Sequence, residues 1–145
     1  MAASYSFRSS WPVPAEPARV WAVLEDLAGY ADWWPQVRAV VRLSEDRARV
    51  RVRSTLPYTL DLVLTAVVRE PRCLEARVDG DLVGFVRWRL SADGSGTQLE
   101  LEQKVEVTGR LGRLSPVLRP LLVWNHERMM AGCRENLIAA VRARG

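Results

Sequence analysis

His126, the sole histidine of this 145-residue chain, stands in the stretch LLVWNHERMM, Leu121 to Met130. An imidazole titrates near neutrality, so it can move protons, ligate a metal or hydrogen-bond a ligand. Spacing argues against a metal. There is no second histidine, and Cys133 follows seven residues later, about 10 Å along a helix axis and too far to share a zinc ion. Nor does a Ser or Cys motif beside it announce a nucleophile for a histidine base. Three roles remain: a core histidine bonded to a strand or to Trp88 or Gln103, a polar contact in a ligand cavity, or a general acid or base acting on a bound substrate.

Each role requires a particular setting. At helical spacing His126 lies one turn from Leu122 and from Met129 or Met130, and two turns from Cys133. It therefore sits in a stripe that also holds Leu118, Leu137 and Ala140, opposite Glu127, Arg134 and Arg142. This predicts an amphipathic helix from near Ser115 or Pro116, after the loop TGRLGRLSP, to about Ala143; it would be roughly 40 Å long. Asn125 points to the edge of the same stripe, where a buried amide must find partners, either anchoring the helix or touching ligand. Met129 and Met130 suit core filling or pocket lining. Trp124 points to the far side and is expected to pack on a loop or on DWWP.

The helix needs a surface to pack on, and the preceding sequence supplies one. Tyr5, Phe7, Trp11 and Val13 alternate onto one face of a first strand. PAEPARVWAVLEDL then reads as a short helix opened by Pro17, with Val20, Trp21 and Leu24 at helical spacing. In GYADWWPQV, Pro35 discourages helix at Trp34. From there period two dominates: VRAVVRL and RARVRVRS around a turn at SED, then YTLDLVLTAVV, CLEARV, LVGFVRWRL and, after DGSG, TQLELEQKVEV. One face of these strands is apolar and the other wet, the mark of an antiparallel sheet, and the long helix must cover it.

Polar groups within the inward rows are further candidates. Gln103 interrupts Leu99, Leu101, Val105 and Val107; Ser54 ends the row Ala48, Val50, Val52; Tyr58 follows Pro57 at the start of the next strand. A buried amide or hydroxyl without a partner costs about 1–3 kcal/mol, so each must bond to protein, water or ligand. Leu62 and Leu122 supply apolar wall, and Trp11 and Trp88 add flat surface that either packs the core or stacks a ring. Arg47 to Arg53, Arg69, Arg77, Arg87 and Arg89 are all expected to point outward by alternation.

Composition narrows the partners. The net charge is +4, but all basic residues except Lys104 are arginine, and Arg47, Arg49, Arg51 and Arg53 share one strand face as Glu100, Glu102 and Glu106 share another. Such faces form cross-strand pairs, so a solvated face is expected rather than a nucleic-acid surface. No apolar run is long enough to insert in a membrane, and no signal peptide, disulfide framework or cofactor is indicated. A single domain over residues 1–145, cytoplasmic and with a monomer favoured, is the expectation.

Three stretches, AEPARVWAVLEDLAGYADWWP, LPYTLDLVLTAVVREPRCLEARVDGDLVGFVRWRL and RPLLVWNHERMM, carry a resemblance to the START-like (SRPBCC, helix-grip or birch-pollen-allergen-like) superfamily. Within it the chain is most similar to the bacterial polyketide cyclase/dehydrase and lipid transport branch. The resemblance implies an α+β helix-grip fold: a seven-stranded curved antiparallel sheet wrapped around a long C-terminal helix, with two short helices between strands 1 and 2. It also implies a cavity for a small hydrophobic or aromatic molecule such as a lipid, quinone or polyketide. Trp11, Ser54, Tyr58, Leu62, Trp88, Gln103, Leu122, Asn125, His126 and Met129 are the candidate contacts. The alternative is a cyclase/dehydratase using His126 or Tyr58 as acid or base; cyclases of the superfamily use an interior arginine, which alternation does not locate here. A third is a protein-interaction module with an exposed apolar patch around Trp33 and Trp34.

Overall fold

In the computed structural model, which describes residues 3–53 and 59–144, alternation acts as anticipated from the first strand. β1 (Ala3–Val13) buries Tyr5, Trp11 and Val13. α1 (Pro17–Glu25) begins on its proline and buries Val20, Val23 and Leu24. A 3₁₀ turn, Leu27–Gly29, leads into α2 (Tyr30–Trp33). Trp34 is extended, at φ −104° and ψ 102°, because the ring of Pro35 crowds a helical backbone in the residue before it.

Six strands follow: β2 (Val37–Arg42), β3 (Arg47–Val52), β4 (Leu60–Glu70), β5 (Cys73–Gly80), β6 (Leu82–Asp93) and β7 (Gly96–Val107). Every neighbouring pair is antiparallel, in the order β1-β7-β6-β5-β4-β3-β2. β1 and β2 are thus consecutive in sequence yet occupy opposite edges of the sheet, and α1 and α2 connect them. α3 (Gly109–Arg144) completes the helix-grip fold. It starts before the anticipated Ser115 or Pro116: Gly109, Gly112 and Pro116 have poor helix propensity, but the backbone is helical through all three. With 36 residues, α3 is about 54 Å long.

Two packed clusters hold α3 to the sheet. The larger joins Met130, Cys133, Leu137 and Val141 of α3 to Trp11, Val13, Leu99 and Leu101 of the sheet and to Val20, Val23, Leu24, Tyr30 and Trp34. The smaller joins Leu122 to Tyr5 and Val107, flanked by Phe7, Leu82 and Val105. Trp34 Nε1 also donates to the Met129 carbonyl at 3.1 Å. Trp34 is buried and Trp33 half-buried against the core, so the exposed patch expected there is not formed. Trp124 is exposed beneath the Arg128 guanidinium, 5.5 Å from its ring centroid, instead of packing on that segment.

On the outer face, a rung of alternating charge crosses four strands. Arg8, Glu102, Arg87 and Glu75 are successive register partners in β1, β7, β6 and β5. Arg8 pairs with Glu102, and Arg87 bonds Glu102 at 2.8 Å and Glu75 at 2.5 Å. Near this rung Gly84 of β6 lies so close to β7 that a Cβ there would stand 1.9 Å from the Lys104 carbonyl oxygen. At the end of β5, Gly80 takes φ +107°, a region that favours glycine.

Strict alternation fails in β4. Between Ala66 and Val68 the register to β5 shifts: Ala66 opposes Ala76, but Val68 opposes Glu75 and Arg69 opposes Leu74. Val67 is therefore the extra residue of a bulge, and beyond it the two faces exchange. Among the described residues no helix is long and apolar enough to cross a membrane.

Candidate functional site

Between the two clusters α3 touches β7 and β1 at His126, and beside that contact a cavity separates the helix from β3 to β6. Val50, Leu62, Leu64, Ala76, Val78 and Val86 face inward from β3 to β6, and with α3 they enclose a cavity of about 720 Å³. That volume lies within the usual range for small-molecule sites, which are mostly apolar with few polar groups. The cavity reaches the surface between the β2–β3 hairpin, residues Arg42 and Ser44 to Arg47, and the segment Ala22 to Ala28 around the end of α1.

The polar part of the wall centres on His126, midway along α3. Its Nε2 lies 2.6 Å from Oε1 of Gln103 on β7. Facing a carbonyl oxygen, the neutral ring carries its proton on Nε2 and donates it, leaving the Nδ1 lone pair. The imidazole also stacks on Phe7, with centroids 3.6 Å apart and planes 12° from parallel. Burial pushes the His126 pKa down from 6.5 to about 4. A cation over an aromatic face gains about 0.5–2 kcal/mol, but a shift of this size corresponds to about 3 kcal/mol against the charged form. Desolvation wins, and the ring is neutral at pH 7.

Of the other candidates, Leu62, Trp88, Leu122, Asn125 and Met129 stand on the cavity wall. Ser54 and Tyr58 lie outside the described residues, as does the side chain of Leu118. Trp11 is not on the wall. It is buried in the larger cluster with Val13, Leu99 and Leu101, edge-on to Trp88 with centroids 6.1 Å apart, so core packing takes up its surface. Met130 packs in the core while Met129 faces the cavity, so the two methionines divide the roles that either could have taken.

Among the wall residues outside the candidate set, Phe7 and Arg69 matter most. Phe7 is on the inward face of β1, and its alternation with Tyr5 and Trp11 is the available signal. Arg69 is the larger correction. Unbroken alternation puts it outside, but the bulge at Val67 turns it to the inner face opposite Leu74, where it lines the cavity near its opening. Its Nη1 lies 3.4 Å from Oδ1 of Asp46. The doublet Val67–Val68 is the only sequence sign of the phase change. Arg47 and Arg53, at the two ends of β3, also reach the cavity edge rather than standing wholly outside, because the strand stops there and their long side chains can fold over its margin.

Tyr30 and Cys133 titrate outside the neutral range. Burial raises both pKa values, and the Tyr30 hydroxyl donates to the Leu24 carbonyl at 2.5 Å. Among the described residues no group of three or more His, Cys, Asp or Glu side chains is placed to hold a metal ion.

The model of a family described as polyketide cyclase / dehydrase and lipid transport matches residues 4–142. Among solved structures, an aromatase/cyclase from Streptomyces sp. R1128 superposes with a TM-score of 0.82 at 20% identity, covering 98% of this chain and 96% of that one. A START superfamily protein from Mycobacterium smegmatis gives 0.78 at 15% identity, covering 97% and 99%. A protein from Thermus thermophilus gives 0.78 at 20% identity, covering 94% and 99%. At these identities the likeness is one of fold. No curated protein matches the chain.

Proposed function

The chain belongs to the polyketide cyclase/dehydrase and lipid transport family, and from that premise we propose that it binds a small hydrophobic or aromatic molecule, such as a lipid, quinone or polyketide, between its sheet and α3. The observation that carries this is the cavity of about 720 Å³, apolar over most of its interior with His126, Gln103 and Asn125 on its wall and charged side chains at its opening. Burying about 300 Å² of ligand apolar surface would contribute roughly 7 kcal/mol, before the losses of rotational and translational freedom. Nδ1 of His126 and the Asn125 amide would then orient a ligand hydroxyl or carbonyl.

Native mass spectrometry of the purified protein, followed by denaturing extraction, tests this directly. A stoichiometric apolar molecule is the expected result. If none co-purifies, fatty acids, quinones and aromatic polyketides should displace an apolar fluorescent probe from the protein. No bound molecule and no displacement would overturn the proposal.

A second reading, a cyclase/dehydratase with His126 as acid or base, is favoured by one observation: Arg69 faces inward. A guanidinium there could stabilise negative charge developing on a substrate oxygen, with the neutral His126 accepting a proton at Nδ1. His126→Ala should then abolish turnover of a polyketide substrate and leave its binding nearly intact. Equal loss of both would argue for binding alone.

A further inference from the structure

Several exposed apolar side chains converge on one corner of the molecule. Val41, Leu43 and Val67 are 56%, 47% and 52% exposed. Val41 is the register partner of Arg49 on the outer side of the hairpin. Leu43 begins the turn, its N–H donating to the Arg47 carbonyl at 2.9 Å. Val67 is the bulged residue of β4, and the neighbouring Ala66 N–H donates to the Asp46 carbonyl at 2.7 Å.

Arginines surround this apolar tip. Arg42, Arg47, Arg49 and Arg69 are all exposed. Arg42 is held by the hairpin backbone, donating to the Ser44 and Glu45 carbonyls at 3.1 Å. Glu45 and Asp46 oppose them, Asp46 by pairing with Arg69, and the six side chains together keep a net charge of +2. Arg42, Arg47 and Arg69 also rim the cavity opening.

A partner for this corner must be anionic at its surface and apolar just beneath. A soluble polyanion would satisfy the arginines and leave Val41, Leu43 and Val67 in water. A protein would need a pocket shaped to the tip. An anionic bilayer accepts any apolar protrusion flanked by cations. We infer that the β2–β3 hairpin docks the cavity opening onto an anionic lipid bilayer, with Leu43 and Val41 entering the headgroup region. The docking does not depend on what the cavity holds; its use, moving an apolar molecule between bilayer and cavity, rests on the function proposed above.

Co-sedimentation with vesicles tests it, using phosphatidylcholine alone and an equal mixture with phosphatidylglycerol. The protein should bind the mixed vesicles, more weakly as salt rises, and not the neutral ones. Arg47→Ala with Arg49→Ala should weaken binding about thirtyfold, and Leu43→Asp about tenfold or more, both with unchanged circular dichroism. Leu121→Asp with Trp124→Ser, altering the exposed face of α3, should bind like the unaltered protein. The inference is overturned if the unaltered protein ignores mixed vesicles, if Leu43→Asp binds as well as it does, or if only the α3 variant loses binding. A protein that docks but extracts no apolar probe from the vesicles would refute the transfer between bilayer and cavity and leave the docking standing; extraction without docking would do the reverse.

Discussion

Nε2 of His126 and Oε1 of Gln103 are 2.6 Å apart, joining the middle of α3 to the middle of β7 across an otherwise apolar wall. Each satisfies the other in a place where an unpartnered polar group costs about 1–3 kcal/mol. The core-histidine role is thus visible in the Gln103 contact, and because His126 also lines the cavity, its other ring nitrogen is the one that the proposed function would turn to a ligand.

Burial of the His126 ring makes stability depend on pH. The folded pKa of His126 is about 4 against an ordinary 6.5, so as pH falls the unfolded chain takes up the proton first. The contribution is fully present above pH 6.5 and is lost as pH drops from 6.5 toward 4, by about 3 kcal/mol in all. Urea denaturation across that interval should show the loss, with a flatter profile for His126→Gln. Parallel profiles for the two proteins would refute the assignment.

At Gly84 the limit is steric. A methyl group 1.9 Å from the Lys104 carbonyl oxygen meets backbone in the sheet ladder, so Gly84→Ala should cost about 3 kcal/mol or more, or fail to fold. Gly94 takes φ +60° in open space, and Gly94→Ala should cost only about 1 kcal/mol. Denaturation midpoints compare them.

The two cysteines should differ in reactivity. Cys73 is half-buried, whereas Cys133 is fully buried with its thiol pKa raised by burial. A thiol reagent should label Cys73 promptly in the native protein and Cys133 only as fast as the fold opens. Equal native labelling would mean that the cluster around α3 is looser than its packing implies.

Arg69 separates a ligand-facing role from a structural one. Its pairing with Asp46 is exposed and long, so Arg69→Gln should shift stability by less than about 0.5 kcal/mol. If the arginine acts on a bound molecule, the same variant lowers affinity or turnover. A stability loss with unchanged binding would confine it to holding the rim.

The fold was largely legible because its two periods are clean: period two lines the cavity with Leu62, Leu64, Ala76, Val78 and Gln103, and a helical stripe turns His126 and Asn125 toward them. The misses have separate causes. The start of α3 was hidden because Gly109, Gly112 and Pro116 argue locally for a loop, while the helical stripe could be followed only from Leu118 onward. Helical geometry turns Trp124 to the far side of α3 but cannot show whether a loop lies there to cover it. Trp11 and Trp88 share the inward side of the sheet, and only the packed structure shows that Trp88 reaches the cavity while Trp11 stays in the core. Alternation carried unbroken through β4 misplaces Arg69, since nothing in the strand's residue types beyond the Val67–Val68 doublet marks the bulge.

The bulge at Val67 has a consequence for how such a pocket can diversify. Beyond it, which side chain faces the cavity depends on whether β4 spends one residue outside the ladder or pairs every residue in turn. Were the same residues paired without a break from Ala66, Arg69 would face solvent and Glu70 would turn inward, with no substitution at either position. In this part of the wall the gain or loss of one bulge can therefore invert the charge offered to a bound molecule, so relatives with near-identical strands can present opposite chemistry at the opening.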